Sequence, residues 1–290
     1  MKTRSIERII APPAPHMVGN GFRVHNFIPG SGVTMRRMSP FILLDYNAPI
    51  AFSPSETPRG VGVHPHKGFE TVTIAYKGRV AHHDSSGAGG VIGEGEVQWM
   101  TAASGVLHKE YHEEGFSRAG GDFHMVQLWV NLPAKDKKSA PKYQAITKDA
   151  MPRHALADGL GEVDVIAGEY AGTQGGASTF TPLDLLNIRV KAGAEVALQR
   201  PANWHTALLV IEGQVEVNGK PVPTDHFALM ANDGTDFTIK AATDAVVLVM
   251  SGEPIEEPIA AYGPFVMNTY DEIHEAMDEF ARGKFGVLED

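Results

Sequence analysis

Two short histidine-containing pairs are the residues of this sequence best suited to chemistry. His64 and His66 lie two residues apart in VGVHPHKGFETVTI, and His108 and Glu110 have the same spacing in SGVLHKEYHEE. Because side chains alternate between the faces of a β-strand, both members of each pair would point to one face. If the two strands are neighbours, three nitrogens and one carboxylate converge, a set that suits a divalent transition metal better than calcium or magnesium. The sequence therefore predicts an open metal site.

The composition restricts the chemistry further. The chain has 290 residues, enough for two domains with separate cores. It contains no cysteine, which excludes disulfides, thiolate zinc sites and a cysteine nucleophile. The formal net charge of -10 disfavours direct nucleic-acid binding, and the one compact basic cluster is Lys135, Lys137 and Lys138. Neither a signal peptide nor a membrane-spanning run is evident, so we expect a cytoplasmic protein without membrane contact.

Strand patterns surround both pairs. Between residues 62 and 132, runs such as ETVTIAY and HMVQLWVNL are separated by glycine-rich turns. A second series follows from GEVDVIAGEY to DAVVLVM, and Asn218-Gly219 within it predicts a hairpin. The chain is therefore predicted to be all-β and to form two barrels.

The expected domains follow from this organisation. We assign residues 1–132 to an N-terminal metal-binding barrel and 133–147, PAKDKKSAPKYQAIT, to a linker. Residues 148–290 are then a C-terminal barrel that carries a short helix at 270–282.

The spacing of apolar residues predicts that C-terminal helix. Ile273, Met277 and Phe280 share one face, which we expect to pack on the barrels. Gly283 is placed to end the helix.

The two halves also look like degenerate copies of one unit. Aligning YKGRV with IEGQV sets Gln199 and Pro201 opposite the first histidine pair. Aligning WMTA with LMAN sets Thr238 and Lys240 opposite His108 and Glu110. The second barrel would then lack all four ligands, and we expect it to be metal-free.

The motifs GVGVHPHKGFETVTIAYKG and GEVQWMTAASGVLHKE resemble the two metal motifs of the cupin superfamily, and specifically those of the pirin family. The likeness continues through QLWVNLP and GPFVMNT, so it spans almost the whole chain. It implies two tandem cupin (jelly-roll-like) β-barrels. It also implies one metal in the N-terminal barrel, most often iron(II), although the same ligands accept nickel, manganese, copper and zinc. The ligands implied by the resemblance are His64, His66, His108 and Glu110.

The resemblance leaves the carboxylate ligand open between two positions. In the wider cupin pattern the carboxylate follows H-x-H by four residues, which here is Glu70. Glu70 has the strand parity of His64 and His66, whereas the pirin pattern places the carboxylate at Glu110. We favour Glu110. Ala103 replaces a proline common in the second cupin motif, which weakens the general cupin match but not the pirin match.

The remaining histidines of the first half are interpreted without metal. His82 and His83 are adjacent, so at most one enters the barrel, with a supporting or solvent role. His112 stands beside Glu113 and is interpreted as a solvated loop residue. His124 is expected to be buried and hydrogen-bonded.

The resemblance implies a metal-dependent dioxygenase that cleaves the central ring of a flavonol such as quercetin with loss of carbon monoxide. Its partners would be a small aromatic, chelating substrate and dioxygen, and Glu110 would ligate the metal or accept the proton of the 3-hydroxyl. The alternative is a metal- or redox-dependent regulatory protein that binds a protein partner, as a transcriptional co-regulator or a modulator of a metabolic enzyme. A third interpretation is a cupin with another substrate. The same four ligands serve all three.

Overall fold

The fold is built almost entirely from strands. The computed structural model describes residues 2–289, so residues 1 and 290 of the expected domains lie outside the described residues. The strands of the first part of the chain, numbered in chain order, are β1 Ile6–Ile10, β2 His16–Val18, β3 Phe22–Ile28, β4 Phe41–Phe52, β5 Gly60–His66, β6 Phe69–Lys77, β7 Val80–Asp84, β8 Gly89–Ile92, β9 Val97–Thr101, β10 Val106–His112, β11 Gly121–Asn131, β12 Lys142–Ile146 and β13 Arg153–Ala155. Those of the second part are β14 Gly161–Ala167, β15 Glu169–Tyr170, β16 Thr173–Gln174, β17 Leu183–Val190, β18 Glu195–Gln199, β19 His205–Glu212, β20 Val215–Val217, β21 Lys220–Val222, β22 Phe227–Met230, β23 Asp236–Ala241, β24 Ala245–Gly252, β25 Ala260–Tyr262 and β26 Phe265–Met267. The helices are α1 Met35–Met38, α2 Glu114–Ala119 and α3 Tyr270–Ala281, with a 3-10 turn at Ala134–Asp136.

The chain forms two compact units that are discontinuous in sequence. The first unit contains Ala14–Pro29, Phe41–Lys148 and the described chain from Ile255 onward. The second unit contains the described residues up to Pro13 together with Gly30–Pro40 and Asp149–Pro254. This corrects the expectation of two continuous halves, because each unit takes part of its structure from a segment far away in sequence.

The first unit has a seven-stranded sheet in the order β12-β9-β6-β11-β4-β3-β2 and a four-stranded sheet in the order β5-β10-β7-β8. Strand β6 pairs with β9 on one side and with β11 on the other. Its residues from Phe69 to Tyr76 are all buried, so both faces of the strand are covered. Strand β10 instead alternates, with buried residues at every second position from Val106 to His112. Its inward face therefore carries the second metal motif.

The second unit repeats this plan. Its seven-stranded sheet has the order β1-β22-β19-β24-β17-β14-β13, and its four-stranded sheet has the order β18-β23-β20-β21. The predicted hairpin joins β20 to β21, with positive φ at Asn218 (50°) and Gly219 (74°), as a type I′ turn requires. The matching sheet orders support the predicted internal repeat.

The segment 133–147 is not an exposed linker. Strand β12 pairs along its length with β9 of the first unit. Lys137 is buried, and its Nζ donates to Asn131 Oδ1 (2.7 Å), to Gly68 O (2.8 Å) and to Val266 O (3.0 Å). Burial lowers the pKa of Lys137 to about 7. Of the basic cluster read from the sequence, only Lys135 and Lys138 are therefore exposed.

Helix α3 belongs to the first unit rather than to the C-terminal barrel to which the sequence assigned it. It begins in a capping box and ends before Gly283, whose φ is 72°, close to the predicted bounds. Ile273 is buried as expected, but Met277 is 41% and Phe280 42% exposed, and Ala276 takes the second buried position. The predicted apolar face is thus rotated towards Ala276. No helix among the described residues has the length and apolar content to cross a bilayer.

Candidate metal centre

The three predicted histidine ligands come together in the first unit. Strands β5 and β10 pair antiparallel, and His64 lies directly opposite His108. The Nε2 atoms of His64 and His66 are 3.1 Å apart, and the ring centroids of His64 and His66 lie 4.5 and 4.9 Å from that of His108. One nitrogen from each of the three lies within 4.8 Å of the others. This cluster is named the His64–His66–His108 group below.

Glu110 borders this group through His108. The pairing of β10 with β5 shifts between His108 and Glu110, and Glu110 Oε2 lies 3.8 Å from His108 Nε2. Glu110, His108 and His82 form a second set with ligand atoms within 4.8 Å of one another. Glu110 Oε1 accepts from Gln98 Nε2 at 3.5 Å and lies 3.2 Å from the Thr73 hydroxyl. The carboxylate is thus held at the edge of the histidine group.

Glu70 has a different environment. It lies on β6, is buried, and its Oε1 accepts from the Thr101 hydroxyl at 2.7 Å. Burial raises the pKa of Glu70 to about 7. Neither ligand-capable group found among residues 2–289 includes Glu70, so the geometry favours Glu110 as the carboxylate.

His108 is oriented from behind by His82. The two Nδ1 atoms are 2.8 Å apart, and His82 Nε2 lies 3.5 Å from Asp84 Oδ2. Tyr143 stacks on the His82 ring, with centroids 5.4 Å apart and planes 8° from parallel. With Nδ1 engaged this way, Nε2 is the nitrogen that His108 leaves available to a metal, the usual arrangement for a supported metal-binding histidine.

The donor set fits a metal ion. His108 Nε2 is buried and has no hydrogen-bond partner within the described protein. Burial, reinforced by the neighbouring histidines, holds the pKa of His66 and of His108 well below 6.5. Both imidazoles are therefore neutral at neutral pH, which is the form that binds a metal.

The other histidines have separate roles. His83 faces outward, stacks on Tyr111 and lies 3.0 Å from its hydroxyl through Nδ1. The expectation that His112 is a solvated loop residue is wrong: it is fully buried, and its Nε2 donates to a main-chain carbonyl at 2.8 Å. Strand β10 runs on to His112, which shares the inward face of His108 and Glu110.

His124 is buried, and its Nε2 lies 3.0 Å from the Tyr46 hydroxyl, as predicted. Burial lowers the pKa of His124 to about 4.

A cavity of about 370 Å³ opens beside the histidines. Its lining is mostly apolar, with a few polar side chains: Val18, Phe22, Val24, Leu43, Asp45, Asn47, Val61, His64, His66, Glu110, Met125, Gln127, Trp129 and Pro264. The sequence reasoning missed Asp45, Asn47 and Gln127. A signal was present, because Asp45 and Asn47 alternate with apolar residues in FILLDYNAPI, and Gln127 has the parity of Met125 and Trp129.

The corresponding strands of the second unit carry other residues. Gln199 lies opposite Asp236, and its Nε2 donates to Asp236 Oδ1 at 3.2 Å. Thr238 lies opposite Ala197, so the ungapped alignment that matched it to His108 is displaced by two residues. Both ligand-capable groups of the described chain lie in the first unit.

Comparison with known proteins agrees with this architecture. The Pirin family model matches residues 21–130, and the model of the Pirin C-terminal cupin domain matches residues 185–286. A Pseudomonas aeruginosa protein named "Putative quercetin 2,3-dioxygenase" is 48% identical over 93% of this chain and 94% of its own length.

Solved structures show the same fold. A crystal structure described as quercetin 2,3-dioxygenase from Acinetobacter baumannii is 46% identical, with a TM-score of 0.93 over 99% of this chain and 100% of that one. The bacterial pirin YhhW of Escherichia coli, crystallised with nickel(II), has a TM-score of 0.63 at 20% identity, over 86% of this chain and 100% of that one. The predicted tandem cupin fold is confirmed, and this chain belongs to the pirin family.

Proposed function

We propose that this protein is a metal-dependent dioxygenase that opens the central ring of a flavonol such as quercetin. The observation that carries the proposal is that His64 and His66 of the His64–His66–His108 group, together with Glu110, line a largely apolar cavity of about 370 Å³. A cavity of this size and lining suits a planar aromatic molecule. The relatives that are named for quercetin 2,3-dioxygenase support the same substrate class.

His64, His66 and His108 would hold the metal, with Glu110 as the carboxylate. When bound, a divalent transition metal, iron(II) in the family pattern, would supply Lewis-acid and redox chemistry for the reaction of the flavonol with dioxygen.

The hydrogen bonds of His108 set its tautomer. A His108 that offers Nε2 as a ligand carries its proton on Nδ1 and donates to His82 Nδ1, 2.8 Å away. His82 then carries its own proton on Nε2, which faces Asp84 Oδ2 at 3.5 Å. This chain of contacts keeps the lone pair of His108 Nε2 directed into the group.

Glu110 is placed to receive the substrate proton. Its carboxylate lines the cavity and lies 3.8 Å from His108 Nε2, so a flavonol hydroxyl next to the histidines is within its reach. The contacts of Oε1 with Gln98 and Thr73 fix the carboxylate while Oε2 remains on the side of His108. The cavity's apolar side chains, Trp129 among them, hold the ring system and exclude bulk water.

The test is aerobic turnover of quercetin by the apoprotein reconstituted with each metal in turn, with metal content determined on the same samples. We expect turnover to follow one metal and to fall at least 100-fold in Glu110→Gln, since loss of a positioned general base costs about that factor or more. A protein that holds a stoichiometric metal and turns over no flavonol would refute the proposal and favour the regulatory alternative.

A further inference from the structure

One wall of the cavity is a ladder of three facing pairs from β4 and β11. In register, Leu43 faces Trp129, Asp45 faces Gln127, and Asn47 faces Met125. All six residues line the cavity. The ring of Trp129 lies 5.3 Å from that of His66, so the first pair is nearest the histidines. At a strand rise of about 3.4 Å per residue, Asn47 lies roughly 14 Å farther along β4 than Leu43.

The surroundings of Asn47 are apolar. Its cross-strand neighbour Met125 belongs to one buried hydrophobic cluster with Phe22 and Val24, and all three line the cavity. Asn47 itself is fully buried, and neither its Nδ2 nor its Oδ1 has a hydrogen-bond partner among the described residues.

The preceding pair of the ladder differs, because each of its two side chains already has one oxygen in a hydrogen bond. Asp45 Oδ1 accepts from Asn26 Nδ2 at 2.7 Å, and Gln127 Oε1 accepts from the Thr73 hydroxyl at 2.6 Å. A buried carboxamide without partners destabilises a fold relative to an apolar residue of its size. Because Asn47 lies in the cavity wall, a bound ligand could supply the missing hydrogen-bond partners of its Nδ2 and Oδ1.

We propose that Asn47 is a specificity-determining residue that hydrogen-bonds a phenolic hydroxyl on the substrate ring farthest from the histidines. A hydroxyl matches the carboxamide, since it donates to Oδ1 and accepts from Nδ2. The Asp45 carboxyl on the same strand face disfavours an anionic group there. The inference rests on the proposed function and narrows its substrate to a neutral flavonol that is hydroxylated on the pendant ring.

The experiment compares two flavonols with the same chelating oxygens, kaempferol, which has a pendant-ring hydroxyl, and galangin, which has none. Binding of each to the metal-loaded protein is measured anaerobically by calorimetry, for the wild type, for Asn47→Leu and for Leu44→Met. Leu44 is the control, because it is buried on the same strand as Asn47 but is not among the residues that line the cavity. We expect the wild type and Leu44→Met to prefer kaempferol about tenfold, and Asn47→Leu to bind both equally. Asn47→Leu should unfold at the same or a higher temperature than the wild type, because it loses an unpaired buried amide.

A wild type with no preference for kaempferol overturns the inference whether or not the variant folds, and so does an Asn47→Leu protein that keeps the preference. In either case quercetin turnover by the wild type still stands as the test of the proposed function. If no flavonol binds and none is turned over, the proposed function fails and the inference falls with it.

Discussion

His108 is shared by both ligand-capable groups, so it is the residue whose loss should matter most to a metal. We predict that His108→Ala abolishes stoichiometric metal binding, because it removes a nitrogen from the His64–His66–His108 group. Metal analysis of the purified proteins is the measurement. Gln199→Ala and Thr238→Ala, from the corresponding strands of the second unit, are the matched controls and should keep full metal content. Equal losses in all three variants would contradict a single site.

His82 offers a finer test, because it touches His108 from the side away from His64 and His66. Replacing it with leucine removes the hydrogen bond between the two Nδ1 atoms. We expect metal affinity, measured by competition with a chelator, to fall about 10- to 100-fold, the usual effect of losing a residue that supports a ligand. The adjacent His83 faces outward, so His83→Leu should bind the metal as the wild type does. A His82→Leu protein of unchanged affinity would show that His108 needs no support.

The raised pKa of Glu70 predicts that the stability of the protein depends on pH. Burial raises its pKa in the folded protein from 4.5 to about 7. The folded state therefore binds more protons than the unfolded state between these values, and the free energy of unfolding falls as pH rises through that window. The contribution is roughly 3 kcal/mol at 1.36 kcal/mol per pKa unit.

Glu70→Gln should remove that contribution. The difference in unfolding free energy between Glu70→Gln and the wild type, from urea titrations at several pH values, should grow from pH 4.5 to 7 in favour of the variant. The exposed Glu94→Gln is the control, for which no such trend is expected. A difference that does not change with pH would contradict the raised pKa.

At the scale of residues, strand parity was enough to bring the histidine pairs together. It could not place His112, because the length of β10 decides whether that side chain is inside, and a neighbouring pair of glutamates suggested a loop. Nor could it identify Asn47 or Gln127, whose place in the cavity depends on the pairing of β4 with β11.

Among the elements, α3 gives a local test of stability. Thr269 Oγ1 accepts from the Glu272 main-chain N at 3.2 Å, and Glu272 Oε2 accepts from Thr269 N at 2.9 Å. We predict that Thr269→Ala destabilises the helix by about 1 kcal/mol, because the capping hydroxyl is lost. Faster amide hydrogen exchange at the start of α3 would report it. Thr269→Ser keeps the hydroxyl and should exchange like the wild type; if both variants exchange equally fast, the cap is not the cause.

The elements also differ in how far the sequence could predict them. Asn218-Gly219 predicted its hairpin because both residues accept positive φ. Strand β12 was missed because it is an edge strand, paired only with β9, and four of its five residues are partly buried or exposed in a polar run. Its cationic neighbour Lys137 looked like a solvent-exposed charge, and only the three oxygens around its Nζ show otherwise.

At the scale of the whole molecule, the sequence predicted two similar units but not which segments complete them. Strand β1, near the start of the chain, pairs with β22 of the second unit. In the first unit, two residues near the end of the chain bond to Lys67: Val266 N donates to Lys67 O, and Lys67 N donates to Pro264 O. Such long-range contacts cannot be predicted from local sequence, because neither segment has a residue pattern that indicates which strand or loop it pairs with.

This exchange of segments predicts different outcomes for two truncations. A protein that ends at Pro254 loses Pro264, which lines the cavity, and the main-chain contacts beside His66. Lys137 also loses one acceptor, Val266 O. We expect the metal affinity of this variant to fall about tenfold or more, as when the support of a metal ligand is removed.

A protein that begins at Ala14 instead loses β1 and Arg4, whose buried guanidinium donates to Gly234 O at 2.9 Å and Trp204 O at 3.0 Å in the second unit. It should unfold at a lower temperature yet bind the metal like the full chain, since its first unit is complete. Metal titration of both truncations, with thermal unfolding followed in parallel, distinguishes the two effects. If the variant that begins at Ala14 lost the metal and the variant that ends at Pro254 kept it, the metal centre would depend on the second unit, and the assignment of segments to units would need to be reversed.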